Sequence, residues 1–284
     1  MLEKGNSSLS IETLFMFAVL PYPNIDPIAF SFGPLEVRWY SLAYIVGLIL
    51  AWQVCRYLAK TYSKKITAEH FDDFVAYCAL GIILGGRMGY VLFYNFQAYI
   101  QNPIEILYVW QGGMSFHGGL LGVVVAILWF AHSRSISRYE LADMIVVVGP
   151  IGLLLGRIAN FVNGELFGRV TDFKWAFIFP TSGDGLPRHA SQLYEAALEG
   201  LFLGLVLFFL YRVKSIRERF GTITGVFFLG YGLSRFIVEY VREPDQHIGF
   251  LFNFITMGQL LSLPLIIAGI LFILLAPKFN GAGN

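Results

Sequence analysis

An unusual group of polar residues follows a long apolar run of this chain. The stretch "GRIANFVNGELFGR" places Arg157, Asn160 and Glu165 directly after "MIVVVGPIGLLL". A charged side chain in hydrocarbon costs roughly 2.5 to 17 kcal/mol on different scales, so an offsetting gain is required. An anionic ligand supplies one, because guanidinium binds phosphate through two parallel hydrogen bonds. Arg157 is therefore a candidate phosphate-binding residue, although pairing with Glu165 or another carboxylate would merely fix helix packing.

A second polar stripe lies in "GYGLSRFIVEYVREPD". Tyr231, Arg235, Glu239 and Arg242 follow the spacing i, i+4, i+8 and i+11, which puts them on one helical face. Arg235 and Arg157 each lie on the order of 10 Å inside the end of a predicted helix, close to the depth of lipid phosphates. An ordinary i, i+4 ion pair between Arg235 and Glu239 is the structural alternative.

Three further polar groups belong to other predicted helices. Arg87 ends "GIILGGR", His117 lies in "GGMSFHGG", and Glu199 lies in "RHASQLYEAALEG". Arg87 also fits an arginine that extends to lipid headgroups, and His117 between glycines is by itself more typical of a structural residue. An imidazole beside arginines can accept a proton near neutral pH, which makes His117 a candidate base.

The sequence lacks the common motifs for metal or covalent catalysis. It has no HExxH, CxxC or GxSxG motif. Cys55 and Cys78 lie within apolar stretches and fit small core or lipid-facing residues better than a disulfide. We therefore expect no metal and no cofactor, and a reaction whose substrates bring their own nucleophile and leaving group.

The elements that must position these groups are membrane helices. Of 284 residues, 56% are hydrophobic and 14% are charged, and the mean hydropathy is +0.64; soluble domains carry about 25% charged residues. Several runs approach the roughly 20 residues that span a bilayer. We predict an all-α polytopic membrane protein with one catalytic domain over 1–284, an external N-terminal segment 1–38 with a short interfacial helix at "IETLFMFAVL", and an external cap at 163–191. The seven predicted spans are 40–58, 72–95, 117–132, 141–163, 192–212, 222–242 and 257–276.

Basic residues predict the orientation of these spans. Eleven Lys and Arg residues lie in the connections of one side and six in those of the other. Because basic connections stay in the cytoplasm, the N-terminus is predicted outside and the C-terminus inside. Polar groups of six spans then fall in the outer half of the membrane, which favours a phospholipid-handling site at the outer leaflet. The inner set is Arg56, Lys60, Lys64, Lys65, Arg134, Arg138, Arg212, Lys214, Arg217, Arg219 and Lys278, and the outer set is Lys4, Arg38, Arg169, Lys174, Arg188 and Arg242.

A family resemblance appears at these residues. "GRIANFVNGELFGR" resembles the GRxGNFxNGE signature of bacterial prolipoprotein diacylglyceryl transferases, and the resemblance continues through "RWYS", "GGRMGYVLFYN", "GGMSFHGG", "RHASQLYE" and "GYGLSRFIVEYVREPD". It covers roughly residues 22 to 275. It implies transfer of the diacylglyceryl group of phosphatidylglycerol to the thiol of a lipobox cysteine in a prolipoprotein signal peptide, with release of glycerol phosphate. Ala159 and Ala190 replace a glycine and a proline of the family pattern, which puts the pocket dimensions in question but not the reaction.

The resemblance also implies roles for individual residues. Arg157 and Arg235 match the essential arginines that would hold the phosphate, and His117 matches the proposed base. A water or a carboxylate such as Glu239 is the alternative base. The remaining candidates would bind substrate or orient the arginines; Arg87 and Glu199 join them on the physical argument given above. This set is Tyr40, Arg87, Asn160, Glu165, Gly168, Glu199, Tyr231 and Glu239.

A phospholipid transporter or flippase is the main alternative, because it too would bind an anionic headgroup with arginines. Transporters usually place their sites near the midplane and contain inverted repeats, whereas the polar groups here cluster on one side and the predicted span count is odd. We expect a monomer in the bacterial inner membrane that binds lipid and prolipoprotein and no nucleic acid.

Overall fold

The computed structural model describes residues 19–33, 35–244, 249–251 and 254–279. Most of the predicted interfacial helix and part of the predicted loop "REPDQHIG" lie outside these residues. The described part of the chain is mostly helical, with three small antiparallel strand pairs. The elements are β1 (Ile28–Phe32), β2 (Leu35–Arg38), α1 (Trp39–Tyr62), α2 (Ala68–Phe93), α3 (Phe96–Gln101), α4 (Phe116–Ser133), α5 (Arg138–Asn163), β3 (Phe177–Ile178), β4 (Pro187–Arg188), α6 (Ser191–Glu195), a π-helical segment (Ala196–Phe202), α7 (Leu203–Arg212), α8 (Lys214–Arg217), α9 (Thr222–Val238), β5 (Phe250–Leu251), β6 (Ile255–Thr256) and α10 (Met257–Phe279).

Six helices in the described residues are long and apolar enough to cross a membrane, which confirms a multi-pass membrane protein. They are α1, α2, α4, α5, the continuous helix Ser191–Arg212 and α10. The predicted sixth span corresponds to α9, which has 17 residues and ends at Val238 rather than at 242. The predicted end was wrong because the chain turns there: the N–H of Arg242 still donates to Val238 O (3.0 Å), and Arg242 then pairs with Gly168 as an isolated antiparallel bridge.

The chain forms two compact units, each assembled from separate stretches of sequence. The first unit comprises Met1–Leu48, Gly149–Leu207 and Val226–Ile270, and the second comprises Ile49–Val148, Phe208–Gly225 and Leu271–Asn284.

Close helix packing in the second unit depends on glycines. A Cβ at Gly122 would lie 2.6 Å from the carbonyl carbon of Gly81, and a Cβ at Gly89 would lie 2.8 Å from Gly118 Cα. Gly81 of α2 faces Gly122 of α4, and Gly89, farther along α2, faces Gly118, which is earlier in α4. The two helices therefore run antiparallel with their backbones in contact. Small residues permit such an approach in membranes, and the glycine-rich stretches of α2 and α4 supply them.

Asp143, on α5 in the second unit, caps the start of α9. Its carboxylate accepts hydrogen bonds from the N–H groups of Gly221 and Thr224, each 2.7 Å long, and from the Thr224 hydroxyl at 2.6 Å. The first N–H groups of a helix have no partner within the helix, so a carboxylate there stabilises it. The buried charge of Asp143 is thus fully hydrogen-bonded.

The first unit contains the segment predicted as a cap, and Gly168 joins it to the chain that follows α9. The N–H of Gly168 donates to His189 O (2.8 Å) and that of Arg169 donates to Val241 O (2.8 Å). A Cβ at Gly168 would lie 2.7 Å from His189 Cβ, so only glycine fits at this crossing.

Phe161, Phe179 and Ala190 form a small buried core in the first unit. Four partly buried residues pack against this core: Tyr22, Phe167, Phe177 and Leu193.

Candidate functional site

Three arginines and three glutamates meet in the first unit. Arg157 comes from the last turns of α5, and Arg235 comes from the end of α9. Glu195 ends α6, and Glu199 lies in the π-helical segment. Two further members follow α9 along the chain. We call this set the charged cluster; its members are Arg157, Glu195, Glu199, Arg235, Glu239 and Arg242.

Glu195 is the shared partner of all three arginines. Its Oε2 lies 2.6 Å from Arg157 Nη2 and 3.1 Å from Arg235 Nη1, and its Oε1 lies 3.5 Å from Arg242 Nη1. The carboxylate is fully buried. A buried carboxylate is costly unless it is paired, and here three guanidinium groups surround one. Glu195 therefore fixes the relative positions of the arginines.

Glu239 is held from several directions. Its Oε1 pairs with Arg235 Nη2, and its Oε2 accepts a 2.6 Å hydrogen bond from the Thr256 hydroxyl. The carboxylate packs directly on Gly258, where a Cβ would lie 2.8 Å from Oε2 and nearer still to the carboxyl carbon. The predicted i, i+4 pair of Arg235 and Glu239 is therefore present, but within a larger constrained network.

Glu199 lies farther from the arginines than Glu195 does. Its side chain, like that of Glu195, is fully buried, and neither carboxyl group has a hydrogen bond of regular geometry. Its ion-pair contact is 3.9 Å long, from Oε2 to Arg157 Nη2. The π-helical turn that carries it packs tightly, because a Cβ at Gly200 would lie 2.7 Å from Leu154 Cα. Single π-helical turns are rare and occur frequently at functional sites.

Exposure divides the charged cluster into two sides. The side chains of Arg157 and Arg235 are 17% and 15% exposed, whereas those of Glu195, Glu199 and Glu239 are between 0% and 4% exposed. A ligand that reaches the cluster therefore meets guanidinium groups before carboxylates. This arrangement suits an anion, and guanidinium is the side chain best matched to phosphate.

Arg157 pairs with Glu195 and not with Glu165, so the predicted pairing alternative is met by another carboxylate. The Oε1 of Glu165 accepts from Asn160 Nδ2 at 2.8 Å and from Asn163 Nδ2 at 3.2 Å. The backbone oxygen of Glu165 accepts from Gln192 Nε2 at 2.7 Å. The carboxylate is exposed and is held by two amides, because α5 ends at Asn163 and the chain turns back.

Two predicted tyrosines accompany the charged residues. Tyr40, at the start of α1, lies within electrostatic range of Arg157 and Glu165, and its hydroxyl is 3.2 Å from that of Tyr44. Tyr231 lies on α9 within electrostatic range of Glu199 and of the arginines, and stacks on Phe227. Nine of the eleven predicted residues therefore belong to the first unit.

The other two predicted residues, Arg87 and His117, belong to the second unit. Arg87 is buried, and backbone carbonyls take its donors: Nε donates to Ile106 O (2.9 Å), Nη1 to Gly112 O (2.5 Å) and Gly113 O (3.1 Å), and Nη2 to Glu105 O (2.5 Å). It also lies over the Tyr99 ring at 5.1 Å. These contacts hold the connection between α3 and α4 and occupy most of the donors of Arg87. Its predicted role in substrate binding stays a prediction.

His117 lies in the first turn of α4 and is exposed. Ser115 caps this helix by accepting a hydrogen bond from Gly118 N (3.2 Å), which fixes the turn that presents the imidazole. Its predicted role as a base stays a prediction.

Residues outside the predicted set complete the cluster. Glu195 and Arg242 form ion pairs at its centre, and Thr256 and Gly258 position Glu239. Glu195 was detectable from its i, i+4 spacing to Glu199, and Arg242 from its place in the polar stripe. Nothing in "ITMGQ" distinguishes Thr256 or Gly258. Among the described residues, no group of three His, Cys, Asp or Glu is placed to hold a metal ion.

Outside the membrane helices, the pKa values of Asp184 and His189 in the cap are shifted. The Arg188 guanidinium, with the Leu186 N–H and the Ser182 hydroxyl, holds the pKa of Asp184 well below its usual range. Burial lowers the pKa of His189, which favours the neutral imidazole at pH 7.

Comparisons with known proteins show similarity to one family over most of the chain. Residues 27–275 match the family model described as prolipoprotein diacylglyceryl transferase. The chain is 52% identical over 252 residues to a phosphatidylglycerol–prolipoprotein diacylglyceryl transferase of Azospirillum brasilense, an alignment covering 88% of this chain and 94% of that protein. A protein of the same name from Paramagnetospirillum magneticum is 54% identical over 256 residues, covering 90% and 95%. One from Rhodospirillum centenum is 49% identical over 260 residues, covering 91% and 94%.

Proposed function

The chain belongs to the prolipoprotein diacylglyceryl transferase family, and on this premise we propose that Arg157 and Arg235 hold the phosphate of the donor lipid during transfer. The protein is an enzyme that transfers the diacylglyceryl group of phosphatidylglycerol to a prolipoprotein. The observation that carries the proposal is the convergence of both arginines on the buried Glu195, at 2.6 and 3.1 Å, with their guanidinium groups partly exposed.

The chemistry explains why two positioned arginines are needed. The thiol of the lipobox cysteine loses its proton, and its sulfur attacks the glyceryl carbon bonded to the phosphate oxygen. The carbon–oxygen bond breaks with its electrons passing to that oxygen, so glycerol phosphate leaves with an added negative charge. Fixed cations at this position stabilise the developing charge without reorganising. Arg157 and Arg235 supply them.

The thiol also needs a proton acceptor, because a cysteine of ordinary pKa, about 8.5, is mostly protonated at neutral pH. We assign this role to His117 on the family motif "GGMSFHGG". The substrate supplies the nucleophile, so Cys55 and Cys78 of the enzyme take no part.

The other predicted residues orient the arginines or contact the substrate. Asn160 holds the exposed Glu165, which can accept hydrogen bonds from the headgroup hydroxyls. Tyr40 and Tyr231 are hydroxyl donors beside the cluster. Two further residues maintain the structure of the site. Glu239 orients Arg235, and Gly168 holds the cap in place through its backbone hydrogen bond.

We place this chemistry at the outer leaflet of the bacterial inner membrane. The excess of basic residues in the inner connections supports an external N-terminus and a cytoplasmic C-terminus. The apolar helix α9 is then a seventh span, and the ends of α5 and α9 that carry the arginines face outward. Nothing in the proposed reaction requires more than one copy of the chain, so a monomer suffices.

The test is a transfer assay with the purified protein in detergent, phosphatidylglycerol and a synthetic lipobox peptide. Glycerol phosphate release and peptide mass are followed, with a Cys→Ser peptide as the control. Release that requires both the lipid and the cysteine, with a diacylglyceryl gain in peptide mass, is expected. Headgroup-dependent lipid binding without release would favour the flippase alternative.

A further inference from the structure

The charges of the cluster present a problem for binding an anion. Its three arginines and three glutamates sum to zero if every group is ionised. The phosphodiester of the donor lipid carries one negative charge, and bond cleavage adds another. A neutral cluster whose guanidinium groups already face carboxylates offers little net attraction to such a ligand. Binding is favourable if one of the three carboxyl groups is uncharged.

Two of the glutamates have close cationic or hydrogen-bonding partners. Glu195 contacts guanidinium nitrogens at 2.6 and 3.1 Å, and Glu239 pairs with Arg235 and accepts a 2.6 Å hydrogen bond from Thr256. Charge-assisted contacts of this length compensate a buried carboxylate.

Glu199 differs from Glu195 in its distance from the arginines. Both side chains are 0% exposed, and neither carboxyl group has a hydrogen bond of regular geometry, but the nearest guanidinium nitrogen lies 2.6 Å from Glu195 and 3.9 Å from Glu199. A buried carboxyl group in this condition takes up a proton rather than remain charged and unpaired.

The groups around Glu199 are of both signs. Arg157 faces it from α5, Arg235 and Tyr231 from α9, and Arg242 from the chain after α9, while Glu195 precedes it by one turn of its own helix. The arginines favour the ionised form, but they lie closer to Glu195, whose negative charge opposes a second one nearby. The distances therefore give Glu195, and not Glu199, the close guanidinium partners.

We propose that Glu199 holds a proton in the resting enzyme, so that the charged cluster carries one net positive charge and selects a donor lipid with a singly anionic phosphate headgroup. This inference rests on the proposed role of Arg157 and Arg235 in binding that phosphate. Glu199 is a positioning residue and not a catalytic one, because its buried carboxyl acts through the net charge that the arginines present. Loss of its proton at alkaline pH makes the cluster neutral and weakens lipid binding.

The test is the pH dependence of KM for phosphatidylglycerol in wild type and Glu199→Gln, from about pH 7 to about pH 10. Glutamine has the shape of the protonated glutamate but cannot ionise. The wild-type KM should rise by up to about tenfold for each pH unit above the ionisation of Glu199, whereas the KM of the variant stays level. At the alkaline end the variant should therefore bind lipid at least about tenfold more tightly than wild type.

Glu195→Gln is the matched comparison, because it removes the carboxylate that holds all three arginines. Its KM should be raised at every pH. A purely structural role of Glu199 would instead make the two variants behave alike. Parallel pH profiles for wild type and Glu199→Gln would overturn the proposal, as would a loss of more than about 100-fold in kcat/KM at neutral pH in a folded Glu199→Gln protein.

A second measurement decides the matter if the variant does not fold. Infrared spectra of the wild-type protein with isotope-labelled glutamate report the carbonyl stretch of a protonated glutamic acid. A band present at neutral pH and lost at alkaline pH supports the proposal, and its absence at neutral pH overturns it. These spectra need no transfer activity, so a wild-type protein that transfers nothing would contradict the proposed function while the infrared result still decides the protonation of Glu199.

Discussion

Two arginine sites in this protein use the same side chain for different purposes. In the first unit Arg157 and Arg235 lie against carboxylates and keep about one-sixth of their side chains exposed. In the second unit Arg87 is 4% exposed and donates to four backbone carbonyls. Carbonyls satisfy the donors of an arginine but add no formal charge, and they are fixed in the chain.

The difference shows how the partners of an arginine indicate its role. A guanidinium group held by carboxylates can be positioned by them and still present donors and charge to an arriving phosphate. A guanidinium group surrounded by carbonyls holds a loop and can leave it only at the cost of several buried, unpaired oxygens. We therefore expect loss of activity from substitutions in the first unit and loss of stability from those at Arg87.

The largest effect is expected from Arg157→Ala and Arg235→Ala. Each removes a cation at the point where negative charge develops, so kcat/KM should fall by about 100- to 1,000-fold, the scale seen for single stabilising donors in other enzymes. The transfer assay measures this, and the thermal midpoint in detergent shows whether the fold persists. Lysine at either position should rescue poorly because a point charge lacks the planar fork. Activity close to wild type in a folded alanine variant would refute the phosphate-binding role.

Arg87→Ala should act chiefly on stability. It leaves the carbonyls of Glu105, Ile106, Gly112 and Gly113 without their donor, which should lower the free energy of unfolding by about 3 kcal/mol or more. Thermal unfolding and limited proteolysis of the connection between α3 and α4 measure the change. A stable, protease-resistant variant with a raised KM for the lipid would instead support the predicted role of Arg87 in substrate binding.

The matched control is Arg134→Ala. Arg134 pairs with Asp73 at 2.5 Å, but both side chains are more than 40% exposed. Exposed ion pairs contribute about 0–1 kcal/mol, so this variant should unfold at nearly the wild-type temperature.

The sequence predicted the helices far better than the partners of the charged residues. The predicted span 192–212 corresponds to Ser191–Arg212, and 257–276 corresponds to Met257–Phe279, because bilayer thickness fixes the length of an apolar run. Helix α9 was predicted too long, since its polar stripe continues with helical spacing beyond Val238 although the backbone turns there.

Partner identity depends on contacts between distant parts of the chain. Glu165 was the nearest carboxylate to Arg157 in the sequence, yet Asn160 and Asn163 hold it, and Arg157 pairs instead with Glu195. Nor does the sequence indicate a π-helical turn, because that turn forms where a helix must fit its neighbours and not from local propensity.

Gly258→Ala tests whether the carboxylates orient the arginines. The added Cβ would lie 2.8 Å from Glu239 Oε2, so the carboxylate must move away from Arg235. We expect kcat/KM to fall by about 10- to 100-fold, or roughly 1.4–2.7 kcal/mol, with a smaller effect on the thermal midpoint. Gly152→Ala is the control in the same unit, because its Cβ meets nothing within 4 Å. Equal transfer rates in the two variants would show that Arg235 does not need Glu239.

Gly122→Ala tests whether the stability of the second unit depends on the close approach of α2 and α4. Its Cβ would press on the backbone of Gly81 in α2, and neither helix can move away cheaply. Overpacking of this kind costs about 1–3 kcal/mol of stability, measured as the free energy of unfolding in detergent. Gly119→Ala is the control, since its nearest neighbour is Ile82 O at 3.7 Å, an ordinary contact. A similar loss in both variants would indicate that helix propensity and not close approach governs these positions.

The smallest effect is expected at the ion pair of Arg188 and Asp184 in the cap. Arg188 lies 2.6 Å from Asp184 Oδ2, and together with the Leu186 N–H and the Ser182 hydroxyl it lowers the pKa of Asp184. A carboxyl group with a depressed folded pKa stabilises the protein above its unfolded pKa, about 3.9, and this contribution is lost as pH falls through the folded value. Asp184→Asn should therefore lower Tm slightly at neutral pH and less in acid. If the difference in Tm between wild type and Asp184→Asn stayed constant in acid, hydrogen-bond geometry and not charge would account for the stability of the pair. Arg188 would then resemble Arg87 more closely than it resembles the arginines of the charged cluster.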